Sequence, residues 1–151
     1  MVERVKQAVA KLKCGEHDGT AFLISGDIAI TATHCILEHI DEDEEILLTF
    51  YNIVGKEKFP VEAILVSETD SPIAVLKLKE EVETQYLQLV CYIDNMERNT
   101  EVVSYGYPVV EGVDGYPVDL YINDYLSPNT LNEYDISLLI SEKSKISDYS
   151  G

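Results

Sequence analysis

A chain of 151 residues, 46% of them hydrophobic, is the size of one ordinary domain and can bury a real core. Acidic residues outnumber basic ones 28 to 11, for a net charge of −17. Such a surface repels phosphate backbones and anionic lipid headgroups, which disfavours nucleic-acid and membrane partners; it also opposes acidic peptides and keeps the chain soluble.

Val2, Val5, Val9 and Leu12 recur at helical spacing, while Ala8, Ala10, Leu12 and Cys14 alternate as a strand would, so periodicity alone leaves both open at the N-terminus. Residues 1–6 hold no apolar stretch of signal-peptide length, and no run anywhere reaches transmembrane length. Three cysteines, Cys14, Cys35 and Cys91, are too sparse and odd in number for a disulfide framework. Together these features read as a cytosolic, reducing compartment. Residues 15–19, Gly-Glu-His-Asp-Gly, form a turn cluster with His17 in solvent. Two apolar, β-rich runs follow, 21–25 and 28–32, flanking Gly26-Asp27 as a hairpin flanks a two-residue turn.

The second run delivers His34 just past its end. A histidine exchanges protons near neutral pH, as a general base must, although one histidine after a strand is by itself an ordinary surface residue. Ile36 and Leu37 can start a single helical turn. Residues 38–45 carry six carboxylates and His39, but without the spaced Asp-x-Asp-x-Asp-Gly of a calcium loop, so they read as a solvated acidic loop. Strands are predicted at 46–53 and 59–67, joined by a turn at 55–58, with Pro60 near the second strand's start. Residues 73–78, Ile-Ala-Val-Leu-Lys-Leu, form a short strand of core type.

The polar stretch 79–84 precedes Leu87, Leu89 and Val90, which suggest another strand. Residues 94–100 are polar and give the best domain boundary. Further strands are predicted at about 101–106, 116–126 and 134–141, with a turn at 127–130. Many short strands and almost no helix argue for an all-β barrel or sandwich.

Three stretches, in this order, carry a resemblance. Gly-Thr-Ala-Phe-Leu-Ile-Ser at 19–25, running on to Ile-Ala-Ile-Thr-Ala-Thr-His-Cys at 28–35, resembles the histidine-bearing hairpin of trypsin-like (chymotrypsin-fold) serine peptidases. Asp-Ser-Pro-Ile-Ala-Val-Leu-Lys-Leu at 70–78 resembles their aspartate-bearing strand. Val-Val-Ser-Tyr-Gly-Tyr-Pro at 102–108 resembles the strand opening their second barrel. The likeness spans about residues 8–151. It implies an all-β double barrel: residues 1–95 a six-stranded barrel with a short N-terminal helix, and residues 101–151 the first part of a second barrel. It implies peptide-bond hydrolysis through an acyl-enzyme, without metal or organic cofactor.

By the same resemblance His34 is the general base. Relatives place the orienting carboxylate immediately before the apolar strand, where this chain has Pro72; Asp70 stands two residues upstream. Period two keeps Asp70 on the same face but about 6–7 Å away along a regular strand, so it reaches the site only through a local bulge. Otherwise Asp70 is a turn residue and the carboxylate is lost. Ser150 is the candidate nucleophile, followed by Gly151. Alternatively Gly151 is the oxyanion glycine and the serine lies beyond it. Either way the chain is expected to stop inside the nucleophile motif, to be inactive alone, and to belong to a larger protein.

The implied partners are a protein or peptide substrate, further domains of the same longer chain, and a second copy meeting the open second barrel. Secreted animal relatives pair the cysteine after the histidine with one at about the position of Gly19, so Cys35 is expected to be a free thiol. A different class of function, a non-catalytic trypsin-like module for binding or scaffolding, draws support from Pro72. An unrelated β-barrel interaction domain is the third reading.

Overall fold

The computed structural model describes residues 2–87, 101–107, 116–125 and 136–140. The N-terminal ambiguity resolves into a helix and then a strand: α1 (Val2–Ala8) runs directly into β1 (Val9–Cys14). There follow β2 (His17–Leu23), β3 (Ile28–Ala32), a 3-10 turn (Thr33–Ile36), α2 (Leu37–Glu42), β4 (Ile46–Phe50), β5 (Phe59–Leu65) and β6 (Ile73–Leu78). These six strands close into an antiparallel barrel in the order β1-β2-β3-β6-β5-β4.

Alternation explains the closure. Ala10, Leu12 and Cys14 of β1, Ile46, Leu48 and Phe50 of β4, and Ala74, Leu76 and Leu78 of β6 all point inward and are buried. Ala21, Ala29 and Ala63 fill the narrower interior positions beside these larger side chains, the mixture of sizes that a small barrel requires. Burying each large aliphatic or phenyl side chain stabilises the fold by about 1.5–3 kcal/mol.

Two turns differ from their sequence reading. Cys14 pairs with His17, so the β1–β2 turn is only Gly15-Glu16, and His17 is the exposed first residue of β2. Gly15 sits at φ +56, where a side chain is strained. The β2–β3 loop is longer than the two residues expected. Ile24 and Ser25 both donate their amides to the Ile28 carbonyl, at 2.9 and 3.4 Å, and the strand ends at Leu23. That loop is bonded sideways: the Gly26 carbonyl accepts from Val82 at 2.7 Å and the Asp27 carbonyl from Leu78 at 2.8 Å.

The acidic run is partly helical rather than a plain loop. α2 ends at Asp43, which takes the left-handed conformation at φ 58. Leu87 is not in a strand, but its amide donates to the Leu23 carbonyl at 2.8 Å. The rest of that expected strand, the 94–100 boundary and the 127–130 turn lie outside the described residues.

The remaining strands, β7 (Glu101–Gly106), β8 (Tyr116–Tyr125) and β9 (Ile136–Ile140), form an antiparallel sheet with β8 in the middle, close to their expected bounds. Its link to the barrel is polar and aromatic. The Tyr107 amide donates to Thr20 Oγ1 at 2.8 Å, and the buried Tyr107 ring lies 5.9 Å from Tyr51 and 6.0 Å from Tyr105. Burial pushes the Tyr107 hydroxyl well above the ordinary tyrosine range. The architecture is a closed six-stranded barrel followed by part of a second one. Among the described residues no helix is long and apolar enough to cross a membrane.

Candidate active site

Register brings the two candidate polar groups to one end of the barrel. Ala32, the last residue of β3, is opposite Ile73, the first of β6. His34 leaves β3 at that end, and the segment holding Asp70 enters β6 there. Beyond the last paired residues the contact is continued by Thr33. Its amide donates to the Pro72 carbonyl at 2.9 Å, and its hydroxyl donates to the Ser71 carbonyl at 2.5 Å. Thr33 is itself buried. The residue before His34 is thus clamped to the two residues after Asp70.

The Asp70 segment is not regular strand. Ser71 Oγ accepts from the Ile73 amide at 3.2 Å, tying a tight local turn. Pro72, which has no amide to donate, presents only its carbonyl to Thr33. Behind it, Ser67 Oγ takes the Val75 amide at 2.9 Å and closes the β5–β6 connection. The extended-strand separation therefore does not govern where Asp70 lies. His34 and Asp70 are both exposed. Among the described residues no ion pair joins them. Catalytic hydrogen bonds are often long in a site with no substrate bound.

The 3-10 turn that carries His34 is fixed from beneath. Thr33, Cys35 and Ile36 are buried, which leaves His34 as its one exposed side chain. Thr31 donates its hydroxyl to the Thr20 carbonyl at 2.8 Å, fastening the end of β3 to β2. Cys35 is a free thiol lying against Gly19: a Cβ added at Gly19 would fall 2.6 Å from Cys35 Sγ. Burial pushes the Cys35 thiol up, so it stays protonated and is a poor nucleophile. One further side chain reaches this region. Glu38 of α2 accepts the Glu16 amide with Oε2 at 2.6 Å and contacts His17 Nδ1 with Oε1 at 2.9 Å.

The arrangement can present an imidazole to solvent at a fixed place beside a carboxylate-bearing turn. Ser150 and Gly151 lie outside the described residues. Among the described residues, no three His, Cys, Asp or Glu side chains gather as a metal site would. Sequence reasoning missed Thr33, Ser71 and Glu38. The clamp partners of Thr33 are backbone carbonyls, which leave no mark in a sequence. Glu38 was hidden inside the acidic run.

No curated protein matches this sequence. Solved structures do. Deg5 aligns with a TM-score of 0.73 at 17% identity over 99% of this chain and 74% of its own. The Rv3671c protease in an inactive form aligns with a TM-score of 0.67 at 18% identity, over 95% of this chain and 71% of its own. A second, inactive-form structure of Rv3671c, from M. tuberculosis H37Rv, gives 0.60 at 19% identity, over 92% and 62%. At these identities the structures speak for the fold. The sequence itself matches the Trypsin family model over residues 3–147. A match of that extent, on a barrel that sets a histidine turn beside the entry to β6, makes this chain a member of the trypsin-like serine peptidase family.

Proposed function

We propose that the chain is the serine endopeptidase domain of a larger protein, hydrolysing peptide bonds through an acyl-enzyme. His34 is the general base, Asp70 orients it, and Ser150 is the nucleophile. The observation that carries this reading is the Thr33 clamp onto Ser71 and Pro72, because it holds the Asp70 turn against the base-bearing turn. Protein or peptide is the substrate, and no metal or organic cofactor takes part. A fluorophosphonate probe tests it: mass spectrometry should find one serine adduct, at Ser150, and none after His34→Ala. No adduct would remove the enzyme reading.

A second reading, a non-catalytic trypsin-like module for binding or scaffolding, has its own support. Pro72 stands where relatives carry the carboxylate, and no ion pair joins His34 to Asp70 among the described residues. The same labelling decides between the two.

A further inference from the structure

We infer that Glu38 is a positioning residue for the His34 turn, a hydrogen-bonded tether that holds it to the β1–β2 hairpin. Glu38 stands four residues after His34, in the first turn of α2, which follows directly on the 3-10 turn in sequence, with Ile36 at φ −124 and ψ 21 at the junction. Fixing Glu38 therefore limits where the chain can go on leaving the His34 turn.

The tether is built on both sides. One carboxylate oxygen takes the Glu16 amide at 2.6 Å, and the other meets His17 Nδ1 at 2.9 Å. A carboxylate bridging an amide and an imidazole with its two oxygens is directional, and hydrogen bonds to a charged group are stronger than those between neutral groups. Shielding is partial here: the Glu38 side chain is 22% exposed and that of His17 46%. Gly15 makes room for the carboxylate. A Cβ at that position would lie only 1.4 Å from Glu38 Oε2. A glycine in the left-handed region, directly beneath the carboxylate, fits this role and would be replaced by few other residues.

The place of the tether gives it meaning. Between the histidine turn and the β1–β2 hairpin, Cys35 meets a glycine, so no disulfide spans the gap. Glu38 closes the same two segments by a bond that needs no oxidation. The other anchors of the turn, Thr31 to Thr20 and Thr33 to the Ser71–Pro72 carbonyls, act on its N-terminal side. Glu38 is a side-chain anchor on its C-terminal side. The assignment of a role to His34 rests on the peptidase reading, whereas the tether itself does not.

Amide hydrogen exchange and ring resonances of the full chain test it. Glu38→Ala should speed exchange of the Glu16 amide and of residues 33–38 about tenfold or more, and shift the His34 ring signals, while β4 and β5 keep their protection. Glu38→Gln retains an acceptor for the Glu16 amide and should restore most of the protection. If Glu38→Ala does not fold, His17→Ala, which leaves the Glu16 bond in place, should give a smaller change confined to the same residues. Unchanged exchange at 33–38, equal loosening of β4 and β5, or a Gln variant as loose as the Ala one would overturn the tether. None of these readouts needs turnover, so failure of the peptidase reading, scored by fluorophosphonate labelling, remains a separate result.

Discussion

Gly19 is where a single missing side chain sets the chemistry of its neighbour. Cys35 fills the space above it, and any Cβ added there comes within 2.9 Å of the Cys35 Cβ and 2.6 Å of its Sγ. Alanine at this position should therefore cost about 1–3 kcal/mol through overpacking. Cysteine should behave differently. Ordinary disulfides separate their Cβ atoms by about 3.5–4.5 Å, so a shift of under 2 Å admits the bond. Closing the loop between the two positions should then stabilise the oxidised protein by about 2–4 kcal/mol over its reduced form. Melting Gly19→Cys with and without reductant checks this; equal midpoints would show that the turn cannot give by that amount. The position was legible in the sequence because the Gly-Thr-Ala-Phe pattern aligns it with the family's hairpin. The Thr33 clamp was not, because threonine beside a strand end has many local uses and only the fold supplies the Ser71 and Pro72 carbonyls.

Among the elements, β2 does the joining. Thr20 accepts the Thr31 hydroxyl with its carbonyl and the Tyr107 amide with its own hydroxyl, so one residue connects the histidine strand to the exit of β7. Thr20→Val keeps the shape and removes the acceptor, leaving the Tyr107 amide buried and unpaired. The cost should be about 1–3 kcal/mol in denaturant unfolding, with the Tyr107 amide losing exchange protection. An unchanged midpoint would mean that water or another group replaces the hydroxyl. Strands such as β6 could be read directly, since Ala74, Leu76 and Leu78 alternate with Ile73, Val75 and Lys77. α2 could not, because half of its residues are acidic and, of its two apolar ones, Leu37 is exposed and only Ile40 packs against the core. It is held also by the bonds of Glu38 to Glu16 and His17, and locally by His39 Nδ1 meeting the Glu44 carbonyl at 2.6 Å. Asp43 then ends it by a left-handed turn that no glycine announces.

For the whole molecule the question is whether a net charge of −17 or the local ion pairs dominate its electrostatics. Among the described residues the lysine pairs are few and partly open to solvent. Lys6 meets Glu3 at 3.0 Å and Lys11 meets Asp18 at 4.0 Å, and Lys77 with Asp27 and Lys79 with Glu62 are each more than a third exposed. Exposed pairs contribute about 0–1 kcal/mol each. Against them stand 28 carboxylates in 151 residues, and five of those, Asp41 to Glu45 in sequence, are consecutive and exposed. Repulsion over distances of ten ångströms or more is screened by salt more completely than contacts at 3–4 Å. Raising ionic strength from about 0.01 to 0.15 M shortens the Debye length from about 30 to 8 Å. The melting temperature should accordingly rise by about 2–4 °C over that range, the shift of roughly 1 kcal/mol in a protein of this size, and then level off. A midpoint that falls with sodium chloride would mean that the four lysine pairs outweigh the general repulsion.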